Sequence, residues 1–146
     1  MSLEHLHVAF DDFLADKRFE LEALSSASPD DEEIRGWLEY HWYHSNRWAS
    51  TFKAFSKYAF TGAHVLEVGG WSEVSSFLSL QGSLVSTKSG NLCYPLDELG
   101  DNAFDVVLCL EVIEHIKDQA DSLPLDVFNQ SGAACLVSEM FRSLKP

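Results

Sequence analysis

Basic residues are scarce in this chain: 10 Lys and Arg stand against 23 Asp and Glu in 146 residues, a formal net charge of −13. Such a field repels phosphate backbones, and the few cations are scattered singly, so no nucleic-acid partner is expected. No apolar run approaches the ~20 residues that a bilayer span requires, so no membrane partner is expected either. Cysteine is equally sparse. Cys93, Cys109 and Cys135 are odd in number, far apart and set in apolar surroundings, a pattern of reduced, packed thiols and not of disulfides or a C-x-x-C zinc site. The segment Met1 to His5 lacks the basic start and apolar core of a signal peptide. These absences together predict a soluble, cytoplasmic protein.

What is present suffices for a core. Hydrophobic residues make up 46% and aromatic residues 12% of the chain, which excludes a disordered composition. A chain of this length is about one domain's worth and buries roughly 70% of the surface that it exposes when unfolded.

Along the chain, residues 3 to about 24 carry Leu6, Phe10, Phe13 and Leu14 at helical spacing, with Asp11, Asp12 and Asp16 largely on the other side. After the polar break at Ser25 to Ser28, a second helix is expected, with Ser28 as its cap, Pro29 in its first position and Asp30 to Glu33 in its first turn. It runs to about Tyr58 through Ile34, Trp37, Leu38, Trp42, Trp48, Phe52 and Phe55. These rings are either a lid that stacks on a ligand or an apolar face packed on a sheet, the commoner use of aromatics. His41 and His44 lie three apart on one helical face, but no third ligand accompanies them, so no metal site is implied.

After Gly62 the pattern changes to a strand at about 64–68, a glycine turn, a helix at about 72–80, a strand at about 104–110 and a last helix from near Ser131. No internal repeat or low-complexity tract appears. The alternation predicts an α/β fold with a doubly wound, mostly parallel sheet, behind an N-terminal helical segment over residues 1–60. Both strands are apolar runs, as expected where a sheet is covered on both faces. Glu67 sits beside the opening that Gly69 and Gly70 create, where glycine lets a ligand approach the main chain. Asp105 begins the later strand, Glu111 falls just beyond its end, and Glu114-His115 follows at the mouth of the same cleft.

Together, Val65-Leu66-Glu67-Val68-Gly69, Phe104-Asp105-Val106-Val107-Leu108-Cys109 and Glu111-Val112-Ile113-Glu114-His115-Ile116 resemble the first strand and turn, the fourth strand and its continuation in class I S-adenosylmethionine-dependent methyltransferases. Met140 to Pro146 is similar to the helix that precedes the family's fifth strand. The resemblance spans residues 61–146 and implies a Rossmann-like core that binds S-adenosylmethionine and methylates a small molecule. It places Gly69, Gly70 and Trp71 under the cofactor, Glu67 in support of that turn, and Leu110 and Glu111 at the border of the methyl-transfer cleft. Asp97 and Glu98 are the residues expected near adenine. His115 is a candidate general base, its ordinary pKa lying near neutrality, with a backbone-bonded loop histidine as the plainer role.

Three departures from the family pattern shape the expectations. Trp71 and Glu73 hold positions that are glycine in the family, so Trp71 is expected to crowd the turn unless Gly70 takes over there. Ser83 to Lys88 supplies no acid for the ribose hydroxyls, and the stretch from Gly82 to Phe104 is short for a strand, a crossover helix and another strand. The family continues past the position of Pro146 with a fifth strand, so a fragment, a natural truncation or a partner that covers the sheet edge is expected, a homodimer being the simplest cover. Two further readings stay open: a methyltransferase-like domain that no longer catalyses and instead oligomerises or binds proteins, and a dinucleotide-binding oxidoreductase.

Overall fold

A computed structural model describes residues 3–58, 62–90, 99–110, 112 and 132–146. The chain divides into two compact units, residues 1–58 and 59–146. Among the described residues no helix is long and apolar enough to cross a membrane.

The first unit is a pair of helices, α1 (Leu3–Ala27) and α2 (Glu32–Phe55), extended by a 3₁₀ turn at Ser56–Tyr58. Phe10 and Leu14 of α1, four apart on one face, are buried with Trp48 and Phe52 of α2. The rings of Phe10 and Phe52 lie 4.3 Å apart between centroids. Trp37, Trp42 and Tyr43 on the same helix remain more than half exposed, so only part of the aromatic run serves as core.

The cap of α2 differs from the expected one. Pro29 and Asp30 occupy a turn that the Asp31 N–H closes by donating to the Ser28 carbonyl at 3.1 Å. Helix therefore starts one turn later than the proline suggests, and Asp31 is the N-cap. Its Oδ1 accepts from the Glu33 and Ile34 amides at 3.0 and 3.1 Å, satisfying donors that the first turn leaves without a helical partner.

The second unit is built on a parallel sheet of three described strands: β1 (His64–Val68), β2 (Leu84–Lys88) and β3 (Val106–Cys109). β1 lies in the centre, with β2 on one side and β3 on the other. Its central place explains why His64–Val68 reads as an almost uninterrupted apolar run, since every residue after His64 is buried. Of the stretch from Gly82 to Phe104, the described residues include one strand, β2. The chain then returns past β1, so that β3 pairs with the other side of the central strand.

Helices cover the sheet on both faces, as strand alternation requires. Leu66 and Val68 point into a cluster with Leu99 and Leu136, the latter on α4 (Gly132–Ser143). Glu67 points to the opposite face, where its side chain reaches Ser75 of α3 (Glu73–Leu80). This is a mixed helix and parallel-sheet architecture of α/β character.

The N-terminal ends of β1 and β3 are clamped by Asp105. Its carboxylate accepts from the His64 amide at 2.8 Å and from Lys145 Nζ at 2.7 Å. The Lys145 amide in turn donates to the Phe104 carbonyl at 2.8 Å, which ties the segment after α4 to the start of β3.

Candidate functional site

The strand order reverses direction at β1, since the chain goes to one side for β2 and to the other for β3. In parallel α/β sheets such a reversal leaves a crevice beyond the carboxyl ends of the two strands, because the connections that follow them diverge there. Here those ends are Glu67-Val68-Gly69-Gly70 and Cys109-Leu110, and Val112 lies close by. The expected site residues Glu67, Gly69, Gly70, Trp71 and Leu110 are thus grouped by the backbone. Asp97, Glu98, Glu111 and His115 lie outside the described residues.

Glu67 is 2% exposed, an unusual burial for a carboxylate. Its Oε2 accepts from the Ser72 amide at 3.0 Å and from the Ser75 hydroxyl. Ser75 is fully buried, so its hydroxyl has no water to turn to. The pair ties the end of β1 to the first turn of α3 and fixes the span that contains Gly69 and Gly70. Ser72 caps the same helix, its Oγ accepting from the amides of Val74 at 3.2 Å and Ser75 at 3.4 Å. The first turn of α3 therefore spends these two amides on its own cap.

The two glycines differ in their surroundings. Both have positive φ, +113° at Gly69 and +139° at Gly70, which L side chains rarely adopt. The Gly69 amide extends the β1–β2 ladder by donating to the Lys88 carbonyl at 2.7 Å. A Cβ placed on Gly69 would collide with Val112 Cγ2, whereas one placed on Gly70 would meet nothing within 4 Å among the described residues. Gly69 is thus required for close packing against Val112 after β3, and Gly70 is the glycine left open among the described residues.

Trp71 does not crowd this turn. The residue is 56% exposed, and its Nε1–H donates to Ser76 Oγ at 2.8 Å, which turns the indole along α3. The side chain that closes on the glycine turn is Val112. Leu110 is half-buried just beyond β3.

Ser72, Ser75 and Val112 shape the site without having been expected to. Ser72 before Glu73 is a capping signal legible in the sequence, but the Ser75–Glu67 bond depends on which face of β1 meets α3. Nothing local marks Val112, because its role comes from the strand order. Among the described residues no three His, Cys, Asp or Glu side chains come together as metal ligands. Cys135 is buried on α4, and burial followed by the nearby Glu139 charge raises its thiol pKa, a setting for packing and not for nucleophilic attack. No family model, curated protein or solved structure matches this chain.

Proposed function

We propose that residues 61–146 form a Rossmann-like domain of the class I methyltransferase type, which binds S-adenosylmethionine at the carboxyl ends of β1 and β3 and methylates a small molecule. The observation that carries the reading is the buried Glu67, which holds the end of the central strand to α3 and so presents the Gly69–Gly70 turn at the crevice. The order β2-β1-β3 supports it as well. If these strands are the family's second, first and fourth, that order is the middle of the doubly wound arrangement 3-2-1-4-5-6.

The residues fit the cofactor in part. Gly70, with open space where a side chain would stand, suits close approach of a ligand to the main chain. Lys88 ends β2, where an acid would be needed for the ribose hydroxyls. The cofactor, when bound, supplies an electrophilic methyl group. The chain's part is to hold and align: Glu67 rigidifies the turn, Gly70 admits the ligand, and Leu110 and Glu111 border the cleft. In this reading Trp71 flanks the ligand from the turn before α3, Asp97 lies towards adenine and His115 takes the acceptor's proton.

Calorimetric titration of the full chain with S-adenosylmethionine and S-adenosylhomocysteine tests the reading. Binding with a Kd of about 1–100 µM is expected. Absence of both heat and thermal shift at millimolar ligand would refute it. The packing of Val112 on Gly69 and the base at the end of β2 favour one second reading, a methyltransferase-like domain that is silent and acts by oligomerising or binding protein. That reading expects no cofactor binding in the titration and a homodimer in sedimentation equilibrium. A monomer that binds the cofactor would exclude it.

A further inference from the structure

The seam between the two long helices of the first unit buries a histidine that the methyl-transfer reading does not use. His41 of α2 is 2% exposed, and both of its ring nitrogens are buried with no hydrogen-bond partner among the described residues. The Trp48 ring stands 5.5 Å away at 73°, and a π face is at best a weak acceptor for one N–H. Two unmet polar atoms on one buried side chain are an exception in folded proteins.

A proton added to this ring meets a worse setting than the neutral form does. The imidazolium carries a full charge and two N–H donors, and a buried charge is tolerated only where it is paired and hydrogen-bonded. The charged groups around His41 supply no such pair. On α1, Arg18 lines the groove beside it, and with Lys17 it acts on the imidazole as a like charge. Asp11, also on α1 and in the lining, is already bound to Lys53 of α2 at 3.0 Å. On α2 itself the neighbour is His44, buried and 5.8 Å from the same Trp48 ring, which brings no anion. Burial first, then Arg18 and Lys17, holds the His41 imidazole below its ordinary pKa.

The contact between the helices is what a proton disturbs. The buried apolar side chains described in this unit are Phe10 and Leu14 of α1 with Trp48 and Phe52 of α2, and His41 lies about two turns before Trp48 on the same helix. At the level of His41 the seam is thin, since only the methyl groups of Ala15 and Ala49 face the groove from the two helices there. Parting the helices brings the ring into water, where it protonates freely.

We propose that His41 makes the α1–α2 pair an acid-released latch, closed while the imidazole is neutral and opened in mildly acid solution by a proton that the packed seam can neither pair nor hydrate. Closed, the pair holds the ring below its ordinary value of about 6.5; open, it binds one proton more in the range below that value. Stability is therefore full above about pH 6.5 and falls as the solution becomes more acid. The latch is separate from the sheet crevice and does not depend on the methyltransferase reading.

The test follows urea unfolding of the full chain by fluorescence in a Trp71→Phe background, where the remaining tryptophans, Trp37, Trp42 and Trp48, all lie in the helical unit. Between pH 7.5 and 5.5, above the range in which carboxylates titrate, the unfolding constant should rise about tenfold. His41→Leu and His41→Phe, which place an apolar side chain where the two nitrogens go unmet, should remove that rise, and either one that folds is sufficient. In the wild type the His41 imidazole resonances should titrate at lower pH than those of histidine in the urea-unfolded chain. A rise in the wild type less than about threefold larger than that in the variants, or an imidazole that titrates as in the unfolded chain, would overturn the proposal.

Discussion

Removing the Glu67 carboxylate should damage the sheet unit in a way that depends on shape more than on charge. In Glu67→Gln the side-chain carbonyl replaces Oε2 and can accept from both the Ser72 amide and the Ser75 hydroxyl. Two effects then oppose each other: the charge-assisted bonds weaken by about 1 kcal/mol each, and the cost of burying a carboxylate at 2% exposure is recovered. The net change is expected within about 1 kcal/mol. Glu67→Ala removes the acceptor altogether. It strands the fully buried Ser75 hydroxyl, at a cost of about 1–3 kcal/mol, and deletes one buried methylene at about 0.8 kcal/mol, for a total of about 3 kcal/mol.

The double variant Glu67→Ala/Ser75→Ala removes the stranded hydroxyl as well, and should recover about 1–2 kcal/mol as the coupling term of a double-mutant cycle. Trp71 supplies the assay. The other tryptophans, Trp37, Trp42 and Trp48, all lie in the helical unit, so with those three changed to Phe, fluorescence during urea unfolding reports the sheet unit alone. For an m-value of about 1–2 kcal/mol/M, the Ala variant should unfold at about 1.5–3 M less urea. A loss below about 1 kcal/mol in Glu67→Ala, or no recovery in the double variant, would refute the role assigned to this carboxylate.

Three further outcomes follow from the same geometry. Gly69→Ala should cost more stability than Gly70→Ala: both force a side chain into positive φ at about 1–3 kcal/mol, but only Gly69 also faces Val112, and Val112→Ala should relieve part of the first loss and none of the second in urea unfolding. The hydrogen bond from Lys145, then that from the His64 amide, holds the Asp105 pKa below the usual carboxylate value. Asp105 therefore contributes stability above its unfolded pKa of about 3.9, which is lost as pH falls through the lower folded value, and Asp105→Asn should flatten that acid limb in a stability–pH series. Cys135, buried and with its thiol pKa raised by desolvation and then by Glu139, should alkylate more slowly in the native chain than in urea, as peptide mapping by mass spectrometry will show.

Much of the architecture was legible because local patterns and tertiary demands agree. The apolar run His64–Val68 marks a strand wherever it is placed, since only a central position in a covered sheet buries it fully. The periodic segments at 3–27, 32–55 and 73–80 mark helices for similar reasons. The α2 cap was misplaced because Ser28-Pro29 and Asp31 are both good helix starts, and the choice rests on a turn hydrogen bond between them. β2 was harder to see. Its residues are mostly exposed or half-buried, so Leu84–Lys88 lacks the continuous apolar signal of a strand buried on both faces.

At the carboxyl end of β1, sequence alone marked Glu67, Gly69 and Gly70, because an acid near the end of an apolar strand followed by two glycines matches the turn of the resembled family. Which glycine opens and which is closed, where the Trp71 ring turns, and what Glu67 binds were decided by tertiary structure. Each depends on the strand order that brings the segment after β3 beside β1, and on the face of β1 that meets α3. The groove beside His41 is a stronger case of the same kind. Its imidazole comes from α2 and its guanidinium from α1, and only the packing of the two helices, hollow where Ala15 and Ala49 line the seam, brings them to one cavity.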